Sequence, residues 1–255
     1  MTGVVYRVRV SSRAKNPRLK FSARDGLVVV IPNGFDEARI PSVVERKRDW
    51  IRRSEERLRE QTRILVPGRP SSAPPAQISL LAIGQEWSVR YQTTSRVSAT
   101  AVERLGQRLF VFGDTENRKA VRDALSRWLS RKTRQHIAPW LEALGRERRL
   151  DVPDVMIRSQ RTRWASCSPT GTISLNLRLM LLPKELVRYA LLHELAHTLE
   201  MNHGRRYWAL LESLEPDYRA LDEKLRAGWQ MIPDWLRPSR DQPLNSRDLS
   251  AAYRD

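Results

Sequence analysis

The sequence predicts an α+β fold: a β-rich N-terminal region, then a mainly helical domain that carries a small sheet and one chemically loaded helix. Three observations predict it. Apolar residues alternate at period 2 through VVYRVRV and through both halves of LKFSARDGLVVVI. From residue 117 onward they recur at steps of three and four. Three of the four histidines, His193, His197 and His203, crowd into LLHELAHTLEMNHGRRYW, residues 191–208.

Taken in order, VVYRVRV and LKFSARDGLVVVI give three strands, the last two joined at Asp25-Gly26, a dipeptide suited to a tight hairpin. Asn33-Gly34 closes the next turn. Residues 40–64 become helical, with Val44, Trp50, Ile51 and Leu58 set among charges. VPGRPSSAPPAQ, residues 66–77, holds four of the fifteen prolines and reads as a linker or extended loop. EWSVRYQ, RVSATAV and RLFVFG supply further strands, so residues 1–115 form a β-rich region with one basic helix. Over 117–145, Val121, Leu125, Trp128, Leu129, Ile137 and Leu141 mark a helical stretch that Pro139 is expected to divide in two. VMIRS and TISLNLRL are candidate strands separated by QRTRWASCSPTG. A helix then starts at Pro183, a good first helical residue, and further helices cover 205–214 and 216–228. Residues 116–232 make the second domain, and 233–255 read as a loosely held tail.

Composition narrows the function classes. A single cysteine, Cys167, excludes an intramolecular disulfide and suits a reducing, cytoplasmic setting. Charges interrupt every apolar run before it reaches membrane-spanning length, and MTGVVYRVRV lacks the marks of a signal peptide, so no membrane association is expected. The net charge of +17 raises nucleic acid as a partner. Residues 1–63 and 117–163 each carry +8, whereas residues 164–255, with the histidines, are neutral. Of the 46 basic residues 39 are arginine, a skew that genome composition alone can produce.

His193 and His197 lie four residues apart, about 40° on a helix, and project from one face. Glu194 is rotated about 100° from one and about 60° from the other, so it can reach water at a metal without being a ligand. That is why His-Glu-x-x-His recurs in zinc hydrolases. A catalytic zinc site takes three protein ligands and keeps one position open. His203 can be the third if the chain bends after Glu200, and Asn202 and Gly204 are residue types that accept a left-handed conformation there. The spacing is that of metzincins, although their turn glycine would fall at Glu200. Glu212 or Glu215 from the next helix are rival ligands, as in gluzincins. His136, alone on a basic helix, has no assigned role.

Arg163-Trp164, Ser166-Cys167, Asn176-Leu177, the proline-led helix, His-Glu-Leu-x-His, Asn202-His203 and Trp208 together resemble the YgjP-like metallopeptidases of the zincin clan. The likeness covers about residues 3–227, with Ala165 where the family commonly has glycine and Gly204 where serine is frequent. It implies a zincin-like metallopeptidase domain, with His193, His197 and His203 as ligands of Zn2+ and Glu194 as catalytic base. TISLNLRL is expected beside the active helix, its open edge available to an extended peptide or protein substrate. Arg161, Arg163, Arg205 and Tyr207 are candidates to stabilise an oxyanion. Trp164 reads as packing behind the helix and Cys167 as a small buried residue.

Two function classes follow: a zinc metallopeptidase, and a basic nucleic-acid-associated protein whose zinc is structural or serves proteolysis of nucleic-acid-bound proteins, as in the distantly similar SprT-like proteases. Glu194 discriminates, since a structural site takes a fourth ligand and needs no base.

Overall fold

A computed structural model describes residues 4–22, 26–65, 73–152 and 154–237, with two compact units: 1–69 with 223–231, and 70–222 with 232–255. Asp25, residues 66–72 of the proline-bearing run and residues 238–255 of the expected tail lie outside the described residues.

In the first unit, β1 (Tyr6–Val10), β2 (Arg18–Ser22) and β3 (Gly26–Ile31) form a sheet in the order β1-β3-β2, with β1 parallel and β2 antiparallel to β3. Leu27, Val29 and Ile31 share one face of β3 and pack on Ile40, Val44 and Ile51. Those three come from α1 (Ile40–Glu45) and α2 (Arg48–Leu65). Period 2 on the strand meets helical spacing on the other side. Each such side chain, fully buried, contributes about 1.5–3 kcal/mol.

The second unit opens with a four-stranded sheet, β4 (Gln77–Leu80), β5 (Gln85–Thr93), β6 (Thr100–Arg104) and β7 (Arg108–Gly113), in the order β4-β5-β7-β6. β4 begins at the last residue of the expected linker. α3 (Arg118–Arg148) follows, its first turn capped by the Asn117 side chain, which accepts from the Lys119 and Ala120 N–H groups. Pro139 does not divide it. Pro139 and Gln135, whose carbonyl loses its partner there, both face solvent. The buried stripe of Leu129, Ile137 and Leu141 continues through the break and offsets its cost of about 3 kcal/mol.

α3 also guards the sheet. Arg127 and Arg131, one turn apart, donate to the Ala99 and Ala101 carbonyls along the outer edge of β6, at 2.8 and 3.1 Å. Lys132 and the Trp128 indole N–H both reach the Glu103 carboxylate, at 2.8 and 2.9 Å. Lys132, 5 % exposed, also lies 4.4 Å from the Trp87 ring centre, so its buried charge has two compensating contacts.

The small sheet of this unit has the order β8 (Val155–Arg158), β10 (Ile173–Asn176), β9 (Ala165–Cys167). TISLNLRL is a strand only as far as Asn176, whose side-chain oxygen accepts from the Arg178 N–H and starts a 3-10 turn over Leu177–Leu181. β10 is central, parallel to β8 and antiparallel to β9. The expectation of an open edge on that strand is therefore wrong: both its edges are paired, and the edge strands are β8 and β9. Three helices complete the unit's elements: α4 (Lys184–Ala196), α5 (Arg205–Leu214) and α6 (Tyr218–Ala227), the last continuing into the first unit's residues. No helix among the described residues is long and apolar enough to cross a membrane.

Gly113 sits at φ 119°, where a Cβ would clash with the Ser98 carbonyl oxygen. Gly113→Ala should therefore cost at least about 2 kcal/mol, from backbone strain plus a clash that backbone must relieve. Gly84→Ala, also at positive φ but in open space, should cost only about 1 kcal/mol. Urea denaturation midpoints of the two variants check the contrast.

Candidate metal centre

α4 carries its chemistry on an apolar body. Leu186, Val187, Ala190, Leu191 and Leu195 are buried, so helix packing makes no demand for imidazoles at His193 and His197. Pro183 is the N-cap, one residue before the helix proper. The helix stops at Ala196, and His197 occupies the C-cap with helical φ and ψ. The Leu199 and Glu200 N–H groups both bond back to the Ala196 carbonyl, and the Gly204 N–H bonds to the Asn202 carbonyl. These tight bonds reverse the chain and return His203 to the helix face. The expected left-handed residue is not used: Gly204 is extended at φ −80°, and Asn202 has no positive φ.

The nitrogens that His193, His197 and His203 can offer all lie within 4.8 Å of one another, the only such group among the described residues. His203 Nε2 stands 3.3 Å from His193 Nε2. His197 Nδ1 is 3.1 Å from the Glu200 carbonyl. A carbonyl only accepts, so Nδ1 carries the proton and Nε2 keeps its lone pair for a metal. Burial holds the His197 pKa below its usual value, which keeps the ring neutral. Glu212 and Glu215, the rival ligands, are instead engaged with Arg219 and Arg188.

Glu194 lies on the same turn, 6 % exposed. Burial pushes its pKa up to about 8, against the opposing effects of the Arg163 charge and a hydrogen bond from the Cys167 backbone N–H. Its Oε2 atom is buried with no hydrogen-bond partner.

A family model described as YgjP-like, metallopeptidase domain, matches residues 15–228. The chain belongs to the YgjP-like family. No curated protein and no solved structure matches the chain. Family membership suggests a metal, and the three-histidine group could hold it. The two family departures are mild. A side chain at Gly204 would meet nothing closer than 3.9 Å, so serine or glycine serves equally at that turn. Ala165 lies in β9 with ordinary strand pairing to Leu175.

Of the four oxyanion candidates, Tyr207 is elsewhere engaged. It is fully buried, its hydroxyl donates to the His193 carbonyl at 3.2 Å, and its ring stacks on His197 at 4.5 Å. Burial raises its pKa further, so the proton stays on this bond. Arg205 is exposed at the start of α5, while Arg163 acts electrostatically on Glu194. His136 lies on α3 near Lys132 and Glu103, away from the cluster. A residue that the sequence reading quoted for the family resemblance but gave no role builds the support. Asn176, fully buried, donates to the Gln160 and Arg163 carbonyls at 2.8 and 2.7 Å and pins the segment leading into β9. A polar amide ending an apolar strand was the available signal.

His203, outside the helix, is steadied by rings: Trp208 stacks on it at 5.4 Å and Tyr218 stacks on Trp208 at 5.5 Å. If the cluster holds a divalent metal ion, Trp208→Ala should weaken its binding by about tenfold or more, as loss of ligand-orienting contacts does, while Trp208→Phe should restore most of it. Competition with a chelating dye measures both. Burial, with help from Glu194, pushes the Cys167 thiol up to about 11. The raised pKa leaves roughly one thiolate in a thousand at pH 8, so iodoacetamide labelling of this cysteine should quicken about tenfold per unit up to pH 10. Mass spectrometry after timed labelling reads the rate.

Proposed function

We propose that the protein is a zinc-dependent metallopeptidase of the cytoplasm that hydrolyses peptide bonds, with His193, His197 and His203 holding the ion and Glu194 as general base. The observation that carries this reading is the joint placement of three imidazoles within 4.8 Å of one another and a buried carboxyl oxygen without a hydrogen-bond partner on the same helix. Three imidazole nitrogens are a donor set of the kind zinc takes, and one pair of them already stands at zinc-like spacing. Two imidazole nitrogens on one tetrahedral ion, at about 2.0–2.1 Å each, stand roughly 3.3–3.4 Å apart, and His193 and His203 are at 3.3 Å. When bound, zinc supplies Lewis-acid activation of water and of the scissile carbonyl.

Glu194 Oε2 accepts the proton from the attacking water and returns it to the leaving amine, while the Cys167 N–H fixes the carboxyl's orientation. The apolar packing of α4 excludes bulk water behind it. Of the two edge strands, β9 is the one that would hold an extended peptide, since its Cys167 N–H bonds Glu194. The Asn176 N–H donates to the Trp164 carbonyl and the Ser168 N–H to the Thr172 carbonyl, so the alternate residues Ala165 and Cys167 turn their backbone groups away from β10. With the Cys167 N–H taken by Glu194, the Ala165 groups and the Cys167 carbonyl are left for a peptide. Arg163 is the favoured group for oxyanion stabilisation, since its charge already reaches Glu194. A second reading, association with nucleic acid through the basic segments 1–63 and 117–163, rests on their charge.

Purified wild type should contain about one zinc per chain, and His203→Ala should lose it. Glu194→Gln should keep the zinc yet lose at least about a hundredfold in cleavage of a fluorescence-quenched peptide library. Zinc retained by His203→Ala, or activity retained by Glu194→Gln, sinks the corresponding assignment.

A further inference from the structure

The turn between α1 and α2 carries an unusual surface. Among the described residues, ten large hydrophobic side chains are exposed, and Trp50, at 38 %, is the one aromatic. Its helical neighbours are cationic: Lys47 three residues before, Arg53 three after and Arg46 four before, all exposed. The backbone is close to continuous through this turn, with Arg46 N–H bonded to Ser42, Lys47 N–H to Val44 and Ile51 N–H to Lys47. The four side chains therefore share a face. The acids of the segment are turned elsewhere, Glu45 pairing with Arg48 and Asp49 with Arg52. Three cations thus surround an exposed indole, and among the described residues no carboxylate pairs with them.

We propose that this face binds single-stranded nucleic acid, an unstacked base lying on the Trp50 ring and backbone phosphates on Arg46, Lys47 and Arg53. Stacking needs a π-face and tolerates any base, and the flanking cations match the charge of a strand running past it. A duplex offers no free base face. An anionic membrane would need an apolar stripe to insert, but Ile51, the next apolar residue, is 4 % exposed inside the first unit's core. The proposal rests on the reading that this protein associates with nucleic acid and gives that association a place. It does not depend on the metal centre.

The test is fluorescence anisotropy of a labelled 20-nucleotide oligo-dT with the full-length protein between 50 and 300 mM salt. Trp50→Ala, Trp50→Phe and the triple variant R46Q/K47Q/R53Q are compared with wild type. The expected result is salt-dependent binding that falls about tenfold or more in Trp50→Ala and is largely kept in Trp50→Phe. In the triple variant the slope of log affinity against log salt should shrink by about 2, for three phosphate contacts on a single strand. Undiminished binding by both Trp50→Ala and the triple variant would overturn this surface while leaving nucleic-acid association standing. No wild-type binding at 50 mM salt would overturn both. Trp50-dependent binding to vesicles containing phosphatidylglycerol, without oligonucleotide binding, would overturn it in favour of a membrane surface. His203→Ala should bind the oligonucleotide as wild type does.

Discussion

Burial of the Glu194 carboxyl is the constraint around which the second unit is arranged. An ionised carboxylate inside an apolar helix is costly to desolvate, and each neighbouring element answers part of that cost. The Cys167 N–H donates to it, the Arg163 charge opposes its protonation, and the residual penalty survives as a carboxyl that titrates near 8. A divalent ion at the adjacent histidines would add the strongest favourable charge of all. The three histidines with a bound ion and the Glu194 carboxyl would in this sense be one electrostatic unit, each easing the presence of the other.

That unit needs β9 at a fixed height above α4, which explains a buried polar network with no direct part in chemistry. Asn176 holds the Gln160 and Arg163 carbonyls, Arg178 reaches Gln160 and the Leu236 carbonyl, and Gln160 donates to Ser166. A strand of three residues has too few ladder bonds to hold itself in place. Side-chain bonds into the preceding segment supply the missing rigidity, so the N–H aimed at Glu194 is preorganised by a network that includes a bond between groups 58 residues apart in sequence, Arg178 and Leu236.

Much of the fold and most of the centre were legible in the sequence because they follow from period and spacing. Alternation located β1, β3, β5 and β7, and the four-residue step put His193 and His197 on one face. The failures have physical causes. Pro139 suggested a break, but a long buried stripe on either side outweighs one lost bond. TISLNLRL alternated like a strand through Leu177, yet a buried amide at Asn176 redirected the backbone. The bend to His203 was assigned to left-handed residues, whereas tight backbone bonds at the end of α4 do the work in ordinary conformations. Pairing order is the least local property of all. Nothing in residues 172–178 says that both edges are taken, and only the tertiary fold makes β8 and β9 the outer strands.

The two arginines along β6 carry a consequence for how the protein keeps company with copies of itself. A strand edge with unmet carbonyls invites another chain to add on, the first step of irreversible clumping. Arg127 and Arg131 fill those carbonyls and leave positive charge on the outside, so a stray strand meets both an occupied edge and a repulsive one against its own basic kin. Part of what an isoelectric point near 11 records is therefore shelf life.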